Sequence, residues 1–125
     1  MDGSEVPPAL CRGVAALSRL FTRERTSLAA FYLADEALRL AYLAYYLPVN
    51  LAKVQALLAE MPVYPVGAFS PARPLSVLDL GSGPGTASLG ALDWVLRNPS
   101  PSRLAVEVVA VDRSAPGFRE CERLW

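Results

Sequence analysis

One short run of this chain, together with one acid downstream of it, could hold a ligand. The run is Asp79-Leu80-Gly81-Ser82-Gly83-Pro84-Gly85-Thr86, and the acid is Asp112. Glycines at 81, 83 and 85 permit positive φ angles and carry no side chain, so a ligand can come against the backbone. The turn leads into a helix whose first N–H groups have no intrahelical partner and point outward. Asp112 closes the next strand, where a carboxylate can accept both hydroxyls of a ribose. A dinucleotide-binding turn wants glycine at its first, third and sixth positions. Counted from Gly81, the third is Gly83 but the sixth is Thr86, which disfavours NAD. The pattern is instead Asp-x-Gly-x-Gly-x-Gly, followed downstream by Val108-Val109-Ala110-Val111-Asp112.

Such residues meet only if strands and helices deliver them. Leu75 to Leu80 is an apolar run ending at glycines, which predicts a buried strand. Thr86 to Arg97 predicts a helix with Leu89, Leu92 and Leu96 facing inward. Residues 98–102 read as a turn. Residues 104–111 are rich in β-branched side chains and make the best strand of the chain. Ser114 and Pro116 then suit the cap and first turn of another helix, running to Trp125. Strand, glycine turn, helix, strand and acid together form a nucleotide-type β-α-β unit.

Upstream, residues 1–9 are a polar, proline-bearing lead, and a helix is expected over Leu10 to Thr22. Thr26 or Ser27 could cap a second helix from Leu28 to Leu47, with Leu28, Phe31, Tyr32, Asp35, Leu38, Tyr42 and Tyr45 at helical spacing. Tyr32, Tyr42, Tyr45 and Tyr46 are expected mainly to pack between helices, with an RNA-facing or cofactor-facing role as the sharper alternative. Asp35 and Arg39 lie four apart and can pair on the helix flank. Pro48 should end or kink that helix, and it also suits the first turn of a third helix reaching Met61. Pro62, Pro65, Gly67, Pro71 and Pro74 rule out regular helix across 62–74. The expected organisation is a helical region at 1–61, a proline-rich linker at 62–74, and a partial ligand-binding domain at 75–125.

Composition narrows the classes of function. Lysine plus arginine number 12 and so do aspartate plus glutamate, so charge supplies no reason to expect non-specific nucleic-acid binding, and no DNA partner is expected. The absence of histidine removes His-dependent triads and imidazole metal sites from these residues. Cys11 and Cys121 stand at opposite ends, which is neither a disulfide framework nor a zinc spacing, and no metal site is expected. The apolar stretch from Leu38 to Leu47 is interrupted by Arg39 and falls short of the roughly 20 residues a membrane span needs. The acidic start resembles neither a secretory nor a mitochondrial leader, so the expected location is the bacterial cytoplasm, or the mitochondrion in a eukaryote.

The run at 77–86, paired with Asp112, resembles the first motif of class I S-adenosylmethionine-dependent methyltransferases. The resemblance implies S-adenosylmethionine as cofactor. Asp79, Gly81, Ser82, Gly83, Pro84, Gly85 and Thr86 would hold its methionine end, and Asp112 its ribose. The segment Tyr32 to Asn50, with its Ala-Tyr-x-Ala-x-x-Leu-Pro helix end, and the Pro84-Gly85-Thr86-Ala87 ending are similar to one subfamily. This is the methyltransferase-like small-ribosomal-subunit assembly family of bacteria and mitochondria, and the likeness covers roughly residues 30–125. It implies ribosomal RNA methylation or an assembly role, with small-subunit ribosomal RNA or the ribosome as partner. A non-catalytic assembly module and a generic small-molecule methyltransferase are the alternatives. Many members carry a cysteine cluster for iron–sulfur binding, which Cys11 and Cys121 do not match. The fold expected is α/β: a helical N-terminal region, then the first β-α-β of a Rossmann-like methyltransferase fold, truncated before the third and fourth strands. No catalytic residue is assigned, the fragment alone is expected to be inactive, and poor stability in isolation is expected.

Overall fold

A computed structural model describes residues 5–23, 32–60, 72–97 and 105–125. Among them the chain is mixed α/β, mostly helical, with a two-stranded parallel sheet. It divides into two compact units, Met1–Pro48 and Val49–Trp125.

In the first unit, α1 spans Pro8–Thr22. It begins two residues before the expected Leu10, because Pro8 fits the first helical position, where no N–H is needed. Leu17 and Leu20 are buried on its inner face. They pack with Ala41 into a small core, edged by Val14, Phe21, Tyr32, Leu38, Tyr42 and Tyr46. Gly13 is the point of closest approach: a Cβ there would stand 2.7 Å from that of Ala41.

The second helix starts later than the sequence suggests. Residues 32–35 are turn and bend, and α2 spans Glu36–Ala41. Asp35 is its cap, with Oδ1 accepting the N–H of Leu38 at 2.9 Å. The proposed caps Thr26 and Ser27, and residues 28–31, lie outside the described residues. Arg39 Nη1 donates to the carbonyl of Leu33 at 3.0 Å.

Pro48 sits in the first turn of a third helix, as the sequence predicts, but it does not interrupt the helical run before it. A π-helical segment, Tyr42–Tyr46, leads directly into α3, Leu47–Ala59. The N–H of Leu47 donates to the carbonyl of Tyr42, five residues back. This widened turn makes room for a residue that has no N–H and whose ring would collide with the preceding turn of a regular helix.

From Val49 onward α3 belongs to the second unit, although the sequence grouped it with residues 1–61. Its Leu51 and Val54 meet Gly90 of α4, which spans Thr86–Arg97. Gln55 Nε2 donates to Asp93 Oδ2 at 2.8 Å across the same contact. Met61 and residues 62–71 of the expected linker lie outside the described residues.

Strands β1, Leu75–Leu80, and β2, Val106–Val111, run parallel with Leu75 opposite Val106 and Leu80 opposite Val111. Helix α5, Ala115–Leu124, follows Ser114, whose Oγ accepts the N–H of Gly117 at 3.2 Å. Pro116 sits in its first turn, as the sequence predicts.

Two expectations of burial are corrected. β1 is not a buried strand: Leu78 and Leu80 are exposed, as are Val109 and Val111 beside them. Side chains alternate across a sheet, and among the described residues only one face is covered. Leu89 and Leu92 are partly buried on α4, but Leu96 in its last turn is 81% exposed.

Candidate functional site

The parallel ladder runs straight into the glycine turn. The N–H groups of Gly81 and Ser82 both donate to the carbonyl of Val111, at 2.7 and 3.2 Å. The chain then reverses, and the N–H of Gly85 donates back to the carbonyl of Ser82 at 2.8 Å. This path needs φ of +73° at Gly81, +51° at Gly83 and +82° at Gly85. All three lie in the left-handed region that side chains disfavour, which accounts for the spacing of the glycines. Gly85 then opens α4, its carbonyl accepting from Leu89 at 2.9 Å.

The two acids are tied into this turn from opposite sides. Asp79 is 7% exposed, and its Oδ2 accepts both the N–H of Ser88 at 3.1 Å and the Ser88 hydroxyl at 2.6 Å. Ser88 is the third residue of α4, so Asp79 acts as a remote cap from within β1. A hydrogen bond to a charged acceptor of this kind contributes about 1.5–3 kcal/mol. Asp112 reaches the turn from the end of β2. Its Oδ2 accepts the N–H of Gly83 at 2.8 Å, and its Oδ1 accepts the N–H of Ser114 at 2.6 Å.

Burial within the turn is uneven. Gly81 is exposed, and a Cβ added there would meet nothing within 4 Å. Pro84 is fully buried. A Cβ at Gly85 would lie 2.6 Å from Cys121 Sγ and 3.2 Å from Trp125 Nε1. Burial raises the pKa of the Cys121 thiol above its ordinary value, Asp79 and Glu122 add to that, and a hydrogen bond with Trp125 opposes it. The hydroxyls of Ser82 and Thr86 are buried without a hydrogen-bond partner. Polar groups in that state are uncommon in folded proteins.

Comparison with protein-family models, with curated proteins and with solved structures finds no match for this chain.

The residues singled out from sequence at 79–86 and 112 therefore lie together around one turn. They do not share one surface. Gly81 faces open space, Gly83 is engaged with Asp112, Gly85 backs onto α5, and Asp79 is turned under α4. Three contributors escaped the sequence reading. Ser88 gave no signal beyond being a serine near a helix start. Cys121 in α5 and Trp125, its C-cap, stand four apart, which marks a common helix face but not what that face touches. Among the described residues no cluster of three or more His, Cys, Asp or Glu could hold a metal ion. No helix there is long and apolar enough to cross a membrane.

Proposed function

We propose that the glycine turn binds S-adenosylmethionine, as the first β-α-β of a Rossmann-like methyltransferase fold. One observation carries the reading: two buried hydroxyls, Ser82 Oγ and Thr86 Oγ1, have no protein partner beside a glycine whose Cα faces open space. A ligand with a polar, zwitterionic end fits that combination of spare donors and acceptors at a helix N-terminus. The backbone at exposed Gly81 allows close approach, and Asp112 at the end of β2 is the acid we assign to the ribose. NAD remains disfavoured by Thr86 in the position of its third glycine.

When bound, the cofactor supplies an electrophilic methyl group. The work of these residues is to bind and orient. Asp79 fixes the start of α4 through Ser88, and Asp112 fixes the turn through Gly83. Each acts before any ligand arrives, so the turn is preorganised and loses little entropy on binding. Methyl transfer depends on holding donor and acceptor in line at close range, and no residue of this chain is assigned to that step.

Following the resemblance of residues 30–125, the partner proposed is the small ribosomal subunit, for ribosomal RNA methylation or for assembly. Calorimetric titration of the chain with S-adenosylmethionine and, separately, with NAD tests the cofactor. Heat from the first alone is the expected result, and heat from neither sinks the reading. Co-sedimentation with purified small ribosomal subunits tests the partner, and a chain that stays in the supernatant counts against it.

A further inference from the structure

Charge balances over the whole chain, but it is not evenly laid out. α1 carries Arg12 and Arg19 and no acid, and Arg23 is its C-cap. The three stand at intervals of seven and four, so on a helical wheel they fall within about 40° of one another. They form one row, with gaps of about 10 Å and about 6 Å along the axis. All three are exposed, and none has an ion pair among the described residues. The row lies about 140° round the helix from Leu17, which is fully buried.

Local structure accounts for only part of this row. Arg19 and Arg23 sit at the carboxyl end of α1, where cations complement the helix dipole. Arg12 is the fifth residue of fifteen, outside the last turn where that effect acts. The acids of the first unit do not answer it either. Glu5 precedes the helix, Asp35 caps α2 through Leu38, and Glu36 opens α2 without an ion pair among the described residues. In the sequence Glu24 and Arg25 follow, and they cancel in charge. Beside the arginines the helix offers Ala15 and Ala16, with no aromatic or large aliphatic side chain on that flank.

We propose that this row of arginines docks RNA by its phosphates. The inference rests on the ribosomal partner proposed above for the choice of RNA, and it names the surface that would meet it. A guanidinium presents a planar fork of N–H donors that matches a phosphate. An RNA strand repeats its charge along one line, as the row does, and phosphate contacts need no apolar anchor. A protein partner would need one, because the centre of such an interface is apolar and aromatic, and this flank is neither. A single small anion would meet one arginine at a time, since the closest two are about 6 Å apart along the axis. Contacts of this kind position a strand without reading its sequence.

The test uses the full chain and a labelled single-stranded uridine oligomer, read by fluorescence anisotropy. Three phosphate contacts predict a slope of log affinity against log salt of about −2, so raising salt from about 50 to about 200 mM should weaken binding about 16-fold. The Arg12→Gln/Arg19→Gln/Arg23→Gln variant should bind about tenfold more weakly at the lower salt, with a slope near zero. The Arg12→Lys/Arg19→Lys/Arg23→Lys variant should restore the slope, because charge is kept. Arg119→Gln, exposed on α5, should change nothing. An oligomer affinity untouched by the glutamine variant, or equal binding of a polyglutamate of the same charge, would overturn the proposal. Co-sedimentation of the unaltered chain with small ribosomal subunits keeps the two readings apart. Oligomer binding that needs the arginines, in a chain that stays in the supernatant, upholds the row and sinks the ribosomal partner. Co-sedimentation that survives in full in the glutamine variant overturns the row and leaves that partner standing.

Discussion

Gly85→Ala and Gly81→Ala are the same chemical change in the same turn, and the structure assigns them different costs. Both residues have positive φ, +82° and +73°, so both alanines carry a left-handed backbone penalty of about 1–2 kcal/mol. At Gly81 the new methyl enters open space and nothing further is added. At Gly85 it would sit 2.6 Å from Cys121 Sγ and 3.2 Å from Trp125 Nε1, well inside contact distance. Cys121 is buried in α5, so either its sulfur turns to another rotamer or α5 shifts to admit the methyl. Overpacking of this kind costs typically 1–3 kcal/mol. Gly85→Ala should therefore exceed Gly81→Ala by about 1–3 kcal/mol. Urea unfolding followed by far-ultraviolet circular dichroism would measure both. A double-mutant cycle locates the cause: Cys121→Ala should recover most of the excess in Gly85→Ala and none of the loss in Gly81→Ala. Equal losses at the two glycines, or no coupling between 85 and 121, would refute the placement of α5 against the turn.

Two further outcomes follow from the same packing. Gly90→Ala should destabilise the second unit although alanine is about 1 kcal/mol the better helix former, because its methyl would lie 2.5 Å from Val54 Cγ1; Val54→Ala should relieve it in thermal melts of the double variant. The Cys121 thiol is held above its ordinary pKa by burial, so the folded state keeps its proton where the unfolded state loses it. Its contribution is intact below about pH 8.5 and declines as pH rises through the thiol range; urea midpoints of the chain and of Cys121→Ala, compared across that range, should converge toward alkaline pH.

The parts of the fold that sequence revealed are those set by local backbone chemistry. Positive φ at Gly81, Gly83 and Gly85, the Ser114 cap and Pro116 in the first turn of α5 each depend on a residue and its immediate neighbours. Asp35 shows where that reasoning breaks. It fits the apolar stripe of a helix flank by spacing, yet it also satisfies the rule for a helix cap, and only the bond to Leu38 decides between them. Pro48 is similar. A proline inside a helical pattern reads as a stop, a kink or the first turn of a new helix; Pro48 takes the first turn of α3, and only the π turn that moves the Leu47 donor to Tyr42 shows how the run passes into it without a break. Burial was least legible. An apolar strand such as Leu75–Leu80 suits a sheet covered on both faces, and nothing in its own residues reports that Leu78 and Leu80 are left exposed. The contact of Cys121 and Trp125 with Gly85 joins positions far apart in the chain and carries no local signature.

The acids in and beside the turn are engaged in the fold before they could serve a ligand. Asp112 already accepts N–H groups from Gly83 and Ser114, one on each oxygen. An ionised carboxylate offers about four acceptor sites, so both oxygens keep capacity for a ribose while being held in place by the backbone. Replacing Asp112 by asparagine would turn one of those oxygens into a donor facing an N–H, and the turn itself would be disturbed. Loss of ligand binding in such a variant would then report the folding role as much as the binding role. Asp79 is likewise committed to the fold, through Ser88, so the same ambiguity would attach to its variants. Comparison of different ligands on the unaltered chain keeps the two roles apart, since the backbone bonds of both acids are then constant. Asp112 is thus a structural residue first, and under the proposed function its remaining lone pairs are the ones a ribose would use, while both acids hold the glycine turn through their bonds to the protein.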